Sequence, residues 1–308
     1  MLTAALLELT EDPGETVKEL NALGLPEVEF VAEKTTKLAI VGTRVRVFVA
    51  GVEEGAEHHD HSHGAHHHHH DHDGNMAHHH AHDGNMDHHH GHDDDHDDNM
   101  AHHHDHDHHD VCRVPDLHQS DAHDHGMDHP HDMPHHHRSL RDIEHVISEH
   151  IRADEAVKED IRRVFRIIAD AESIVHGRPV PEIHFHEVGS MDAIADVTAV
   201  CYLIHKLGIQ QILASPVHVG RGTIKCAHGI LPVPPPAAAL ILKGIPVYSI
   251  PEIEGELCTP TGAAVLKAFV SEFKPMPVMT YDRIGYGMGS RDYPILSCVR
   301  AFLGEVQA

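Results

Sequence analysis

Ile183-His184-Phe185-His186-Glu187-Val188-Gly189-Ser190-Met191-Asp192-Ala193-Ile194-Ala195-Asp196 changes period halfway, and that change decides the class of fold. Its first part is a short extended segment, in which residues two apart face the same way, so His184 and His186 present their imidazoles together. A glycine turn follows, and Ser190 to Leu207 reads as a helix closed by Gly208. Ile194, Val197, Val200, Leu203, Ile204 and Leu207 make that helix apolar nearly all round, which predicts burial. Asp192 and Asp196 lie four apart and share a face. Acidic groups on a buried helix need partners. His184 and His186 are therefore candidate metal ligands, with Glu187, Asp192 and Asp196 as candidate catalytic carboxylates. In the competing reading, Asp192 only complements the helix dipole and Asp196 pairs with an arginine.

On the N-terminal side, Leu2, Leu6 and Leu9 recur at helical spacing, Pro13-Gly14 breaks the chain, and Thr16 to Leu23 resumes a helix. Val28 to Ala32 and Ile40 to Val49 read as strands of a hairpin, the second alternating with period two from Thr43. Nearer the quoted block, Ser139 is an N-cap for a helix to about His150, and a second helix runs from about Asp154 to His176, ended by Gly177 and the Pro179/Pro181 pair. Strands and turns follow from Ile212 to Val233. Helices are predicted near Pro235 to Leu242 and Pro260 to Phe273, and a last strand near Ser297 to Leu303. The class expected is α/β or α+β, a mixed sheet with packed helices.

A long His/Asp-rich insertion interrupts this pattern. Residues 55–137 hold 33 of the 41 histidines and 19 acidic residues against one basic residue, Arg113, so they carry −18 of the net charge of −26. A stretch so polar cannot bury enough apolar surface to offset ordering entropy, and disorder is expected in the metal-free state. Three domain segments follow: 1–54 as the N-terminal part of the globular domain, 55–137 as a metal-binding insertion, and 138–308 as the main globular part. Neutral imidazole suits nickel, zinc and copper, and carboxylates complete a coordination sphere. The runs His66, His67, His68, His69, His70; His78, His79, His80; His88, His89, His90; and His102, His103, His104 are the candidate tract ligands. Binding there should weaken below about pH 6.5, because the ligand is the neutral ring. A solvating acidic linker is the bland alternative.

The acidic balance argues against nucleic acid, since phosphate recognition needs basic patches. No apolar run approaches the ~20 residues that span a bilayer, and the apolar start lacks the basic region of a signal peptide. Five scattered cysteines, with no CxxC, fit a reducing cytoplasm. Two glycine-rich groups, Gly220-Arg221-Gly222 and Gly285-Tyr286-Gly287-Met288-Gly289 followed by Arg291, are candidate cofactor-phosphate cradles through Gly220, Arg221, Gly222, Gly287, Gly289 and Arg291, or else tight turns. A zinc hydrolase lacks HExxH spacing here.

The quoted block resembles the LarC family of nickel-insertion proteins. The likeness continues through Ala214-Ser215-Pro216-Val217, Gly220 to Lys225, Ala227 to Pro234, Gly255 to Ala263 and Gly285 to Asp292. The resemblance implies a nickel insertase, cyclometallase-like and of the lyase class. It would place Ni(II) into pyridinium-3,5-bisthiocarboxylic acid mononucleotide, with Glu187 or an aspartate taking the ring proton. CTP with a divalent metal would be used through a C-terminal domain that follows in full-length relatives. It also implies a racemase or epimerase that receives the cofactor, and is compatible with a homo-oligomer. Relatives open with a strand and a Gly/Ser-rich loop ahead of the helix that starts here at Met1, so a truncated or misassigned N-terminus is expected. A non-enzymatic nickel store or metallochaperone is the alternative function.

Overall fold

The computed structural model describes residues 1–53, 138–185 and 188–306. The histidine-run ligands, His186 and Glu187 lie outside the described residues. The described residues belong to one compact unit.

The N-terminal helices are short. Helix α1 (Leu2–Leu7) is buried over most of its length, and α2 (Pro13–Asn21) is capped by Asp12, whose side chain accepts from the Glu15 amide at 3.0 Å. The hairpin of β1 (Val28–Lys37) and β2 (Ile40–Val49) runs in register from Val28↔Val49 to Lys37↔Ile40. It is longer than the predicted Val28–Ala32 strand, because Thr35 and Thr36 favour extended backbone and the turn falls on Leu38-Ala39. A short β3 (Val52–Glu53) pairs with β2.

Two further strands complete the main sheet. β14 (Met279–Met288) and β15 (Cys298–Val306) pair antiparallel, and β14 joins β2 in parallel at Gly287↔Thr43, giving the order β1-β2-β14-β15 with β3 beside β2. Val45, Val47 and Val49 turn one face of β2 to the core. This is the mixed sheet with packed helices that the sequence predicts.

The helical layer is built from α3 (Leu140–Glu149), α4 (Glu155–His176), α5 (Met191–Lys206), α6 (Pro236–Ile241) and α7 (Pro260–Phe269). On α4, Val157, Ile161, Val164, Phe165 and Ile168 form the buried stripe, and Gly177 ends the helix in the left-handed region at φ 61°. α5 is the centre of the molecule. It packs on α4 and α7 on one side and on α1, β1 and β2 on the other, with Ile194, Val197, Cys201 and Leu203 at 0% exposure. Each such aliphatic side chain contributes about 1.5–3 kcal/mol by leaving water.

α3 begins with a capping box: the Ser139 hydroxyl accepts from the Asp142 amide at 3.3 Å, and the Asp142 carboxylate accepts from the Ser139 amide at 2.8 Å. Ser139→Ala is expected to cost about 1 kcal/mol and to lower the melting temperature by roughly 2–4 °C. An unchanged melt by circular dichroism would remove the cap from the account of this helix.

Short ladders frame the rest. β4 (Arg138–Ser139) pairs antiparallel with β5 (His184–Phe185). β6 (Ile212–Ala214) pairs in parallel with β13 (Val270–Phe273), and β7 (Val217–His218) with β11 (Val247–Tyr248). β8 (Gly220–Arg221) pairs with β12 (Gly255–Glu256), and β9 (Thr223–Cys226) with β10 (Gly229–Pro232).

Two expectations are corrected. The helix predicted over Pro260–Phe273 stops at Phe269, where Val270 turns extended and the chain takes up the edge of β6. The run Gly285 to Gly289 is not a loop: its first four residues are the end of β14.

Candidate functional site

Helix α5 opens to water at its N-terminal end through two carboxylates. Ala195 and Val197 have 0% exposure, yet Asp196 between them is solvent-exposed and Asp192, one turn earlier, is half-buried. The surrounding protein crowds Asp196 even so. Burial pushes its carboxyl above the ordinary aspartate value; the Met1 amino group opposes this, and the Asp192 charge adds to it. Arginine does not figure among the charges acting on it. Asp192 accepts a hydrogen bond from the hydroxyl of Ser190, the N-cap residue, and complements the helix dipole as one reading anticipated.

The segment leading into α5 is fixed from below. Ile183, Phe185 and Val188 are buried while His184 is exposed. Arg138 donates to the Gly189 carbonyl at 3.0 Å, and a Cβ on Gly189 would lie 2.6 Å from the Phe185 Cβ, so the turn into α5 is tight. Asp142 is held below the usual aspartate range by its hydrogen bonds to the Ser139 amide and hydroxyl, with smaller contributions from Arg138 and His184. His184 thus lies among Arg138, Asp142 and the β4 backbone. Among the described residues, no group of three or more His, Cys, Asp or Glu converges to hold a metal ion.

The two glycine groups meet through a third segment. Gly220, at φ 84°, faces Gly255 so closely that a Cβ would come within 1.9 Å of the Gly255 carbonyl oxygen. Arg221 pairs with Gly255 in the ladder and bonds Glu254 at 3.0 Å. Arg291 brings its guanidinium to the same glycine, 3.5 Å from where a Gly255 Cβ would stand. Gly222 has open space around it. Arg221 and Arg291, far apart in sequence, therefore flank one short ladder. Arg291 also borders a cleft of about 240 Å³ shared with Thr36, Lys37, Tyr293 and Ser297.

Gly287 and Gly289 have a packing explanation. A Cβ on Gly287 would lie 1.9 Å from the Met1 carbonyl oxygen, and one on Gly289 would lie 2.8 Å from the Met1 sulfur, because α1 crosses directly over the end of β14. These glycines let the helix start lie flat on the sheet, close to Asp196.

Sequence reasoning missed Ser190 as a partner of Asp192, although it placed Ser190 at the start of the helix. It also missed Arg138, which follows the His/Asp tract and is tied to Gly189 only by the fold. His218 carries a stacked Tyr248 ring 4.7 Å away and accepts the Ile250 amide at 3.2 Å; burial lowers its pKa. Burial likewise pushes the Cys258 thiol up to about 12, with Glu256 adding to the effect, so it is a poor candidate ligand.

The sequence profile of the family described as "Nickel insertion protein" matches residues 1–308. The chain is similar to proteins named "Pyridinium-3,5-bisthiocarboxylic acid mononucleotide nickel insertion protein" from several bacteria. Against that of Clostridium kluyveri it is 45% identical over 168 residues, 54% of this chain and 42% of the relative. Against that of Desulfitobacterium hafniense strain DSM 10664 / DCB-2 it is 44% identical over 170 residues, 55% of this chain and 42% of the relative. Against that of Staphylococcus saprophyticus it is 43% identical over 165 residues, 54% and 42% of the two chains. The matched part thus spans well under half the length of these relatives. No solved structure matches.

Proposed function

Because the chain belongs to the nickel insertion protein family, we propose that it inserts nickel into pyridinium-3,5-bisthiocarboxylic acid mononucleotide, forming a nickel–carbon bond flanked by sulfur ligands. The single observation that carries this reading is the Asp192/Asp196 pair, which reaches water between buried residues in the N-terminal half of the helix. A carboxylate whose proton affinity is raised by its surroundings is suited to receive the ring proton that nickel displaces. In this reading Ni(II) is a substrate, held by His184 and His186 before transfer, and Glu187, Asp192 or Asp196 takes the proton. The nucleotide phosphate would lie by Gly220, Arg221, Gly222 and Arg291, where two guanidinium groups flank one ladder. Gly287 and Gly289 would border the same region from the α1 side.

Residues 55–137 act as a nickel-collecting insertion between segments 1–54 and 138–308. The chain that follows the insertion enters β4, which pairs with His184–Phe185, so in sequence the insertion leads directly into a strand that neighbours His184. CTP with a divalent metal is assigned to a C-terminal domain like the part of the relatives beyond the matched region. The recipient is a racemase or epimerase of the lactate racemase type, and the lyase class follows from the bond formed. The cytoplasm is the proposed location; among the described residues no helix is long and apolar enough to cross a membrane, and the four described cysteines are free.

The test is nickel transfer into the purified precursor by the full chain, with and without CTP, alone and with a separately expressed C-terminal domain of a relative. Product in either setting supports insertion. No product in both, with nickel still bound, would hand the function to nickel storage. Deleting 55–137 is expected to preserve the cooperative melt and to lower loading mainly when nickel is scarce. Loss of the cooperative melt would contradict the domain division.

A further inference from the structure

Two imidazoles meet away from α5. His176 is the last residue of α4, and His228 sits in the turn Ala227-His228 that joins β9 to β10. Their ring centres are 5.0 Å apart, with the planes tilted by 38°. Two imidazoles bound to one metal at about 2.0–2.1 Å, with an angle near 90–110°, hold their ring centres roughly 4.5–5 Å apart. The observed spacing, within the ordinary range of packed rings, also accommodates two ligands on a common ion.

Two features around the pair favour a cation. Glu172, one helical turn before His176, places Oε2 3.3 Å from the His176 Nε2. A carboxylate on one ring nitrogen fixes the tautomer and orients the other nitrogen toward a metal. The pair also lies at the C-terminus of a 22-residue helix, the negative end of its dipole. Two elements from different parts of the chain supply the rings, so the site exists only in the folded protein.

We propose that His176 and His228 form a two-histidine site for a borderline divalent cation of the nickel, cobalt and zinc type, with Glu172 positioning His176. Nδ1 of His176 is then the ligating atom, and water or exchangeable ligands fill the remaining positions. Two protein ligands hold such an ion loosely, which agrees with the absence of a three-ligand group among the described residues and suits exchange better than retention. The site is a statement about metal binding; only its use as a nickel landing point rests on the insertion reading.

The experiment is residue-resolved carbethoxylation of the full chain by mass spectrometry, with Ni(II) added beyond saturation of the histidine tract. His176 and His228 are expected to lose reactivity together, by tenfold or more, while His145 on α3 stays reactive. In His176→Ala, His228 should regain its metal-free reactivity in nickel, and the reciprocal should hold in His228→Ala. Glu172→Gln should raise the nickel concentration for protection about tenfold. Protection of His228 that survives His176→Ala, or no protection of either ring, would overturn the site. Neither outcome bears on whether nickel is inserted, so the two readings fail separately.

Discussion

Asp196→Asn is expected to lower nickel insertion by about 10²–10⁴-fold, the range a positioned general base supplies, while making the protein more stable at high pH. Both effects come from the same carboxylate. Its folded pKa is raised above the unfolded value, chiefly by burial. A group raised in this way contributes stability that is fully present below the unfolded pKa and lost as pH rises through the folded one. Asparagine cannot ionise, so the variant escapes that loss. The two proteins should melt together in acid, and the variant should gain stability relative to the parent as pH climbs through the raised folded pKa. Insertion is read with the C-terminal domain supplied, and stability by calorimetry from pH 4 to 8. Full activity in the variant would remove Asp196 from the chemistry and leave Glu187 or Asp192 as the base. A stability gain that did not grow with pH would show that the burial of this carboxylate is not what the protein offsets elsewhere.

Gly287→Ala is expected to destabilise the fold by about 3 kcal/mol, at the upper end of overpacking costs, and to lower the melting temperature by roughly 6–12 °C. The added methyl would meet the Met1 carbonyl oxygen at 1.9 Å and the Ala5 amide nitrogen at 2.7 Å. Both are backbone atoms, so relief requires α1 to lift from the sheet. Gly262→Ala is the matched control. Gly262 lies inside α7, its Cβ would meet only Thr259 Oγ1 at 3.5 Å, and alanine there is expected to be neutral or stabilising. A Gly287→Ala protein that melts like the parent but loses binding of the precursor would show that this glycine serves a phosphate and not the helix above it.

These two cases mark what the chain of residues discloses and what it withholds. Helix ends were readable because their signals are local. Ser139 ahead of α3 and Gly177 after α4 stand within a few residues of the groups they cap. Burial of α5 and the shared face of its aspartates followed from periodicity. β14 was not readable: its glycines look like a loop, and the reason for them is α1, some 280 residues earlier in sequence. The arrival of Arg291 beside Gly255 is likewise a long-range event. β13 escaped because an apolar run at the end of a helix suits either state until a partner edge is present. His184 was singled out by spacing. Its neighbours Arg138 and Asp142 come from beyond the insertion and carry no local mark.

The pairing of β4 with β5 has a kinetic consequence. Ligands joined covalently to Arg138 meet the strand of His184 by an intramolecular step, whose local concentration for short connections is on the order of millimolar. Under the proposed role of residues 55–137, delivery of metal by that route would be first order. It proceeds at the same rate when the protein is diluted a thousandfold, and a chelator in solution must outrun a tethered donor to intercept the ion. Scarcity of nickel then limits how often the donor is filled, and leaves the speed of each handover unchanged.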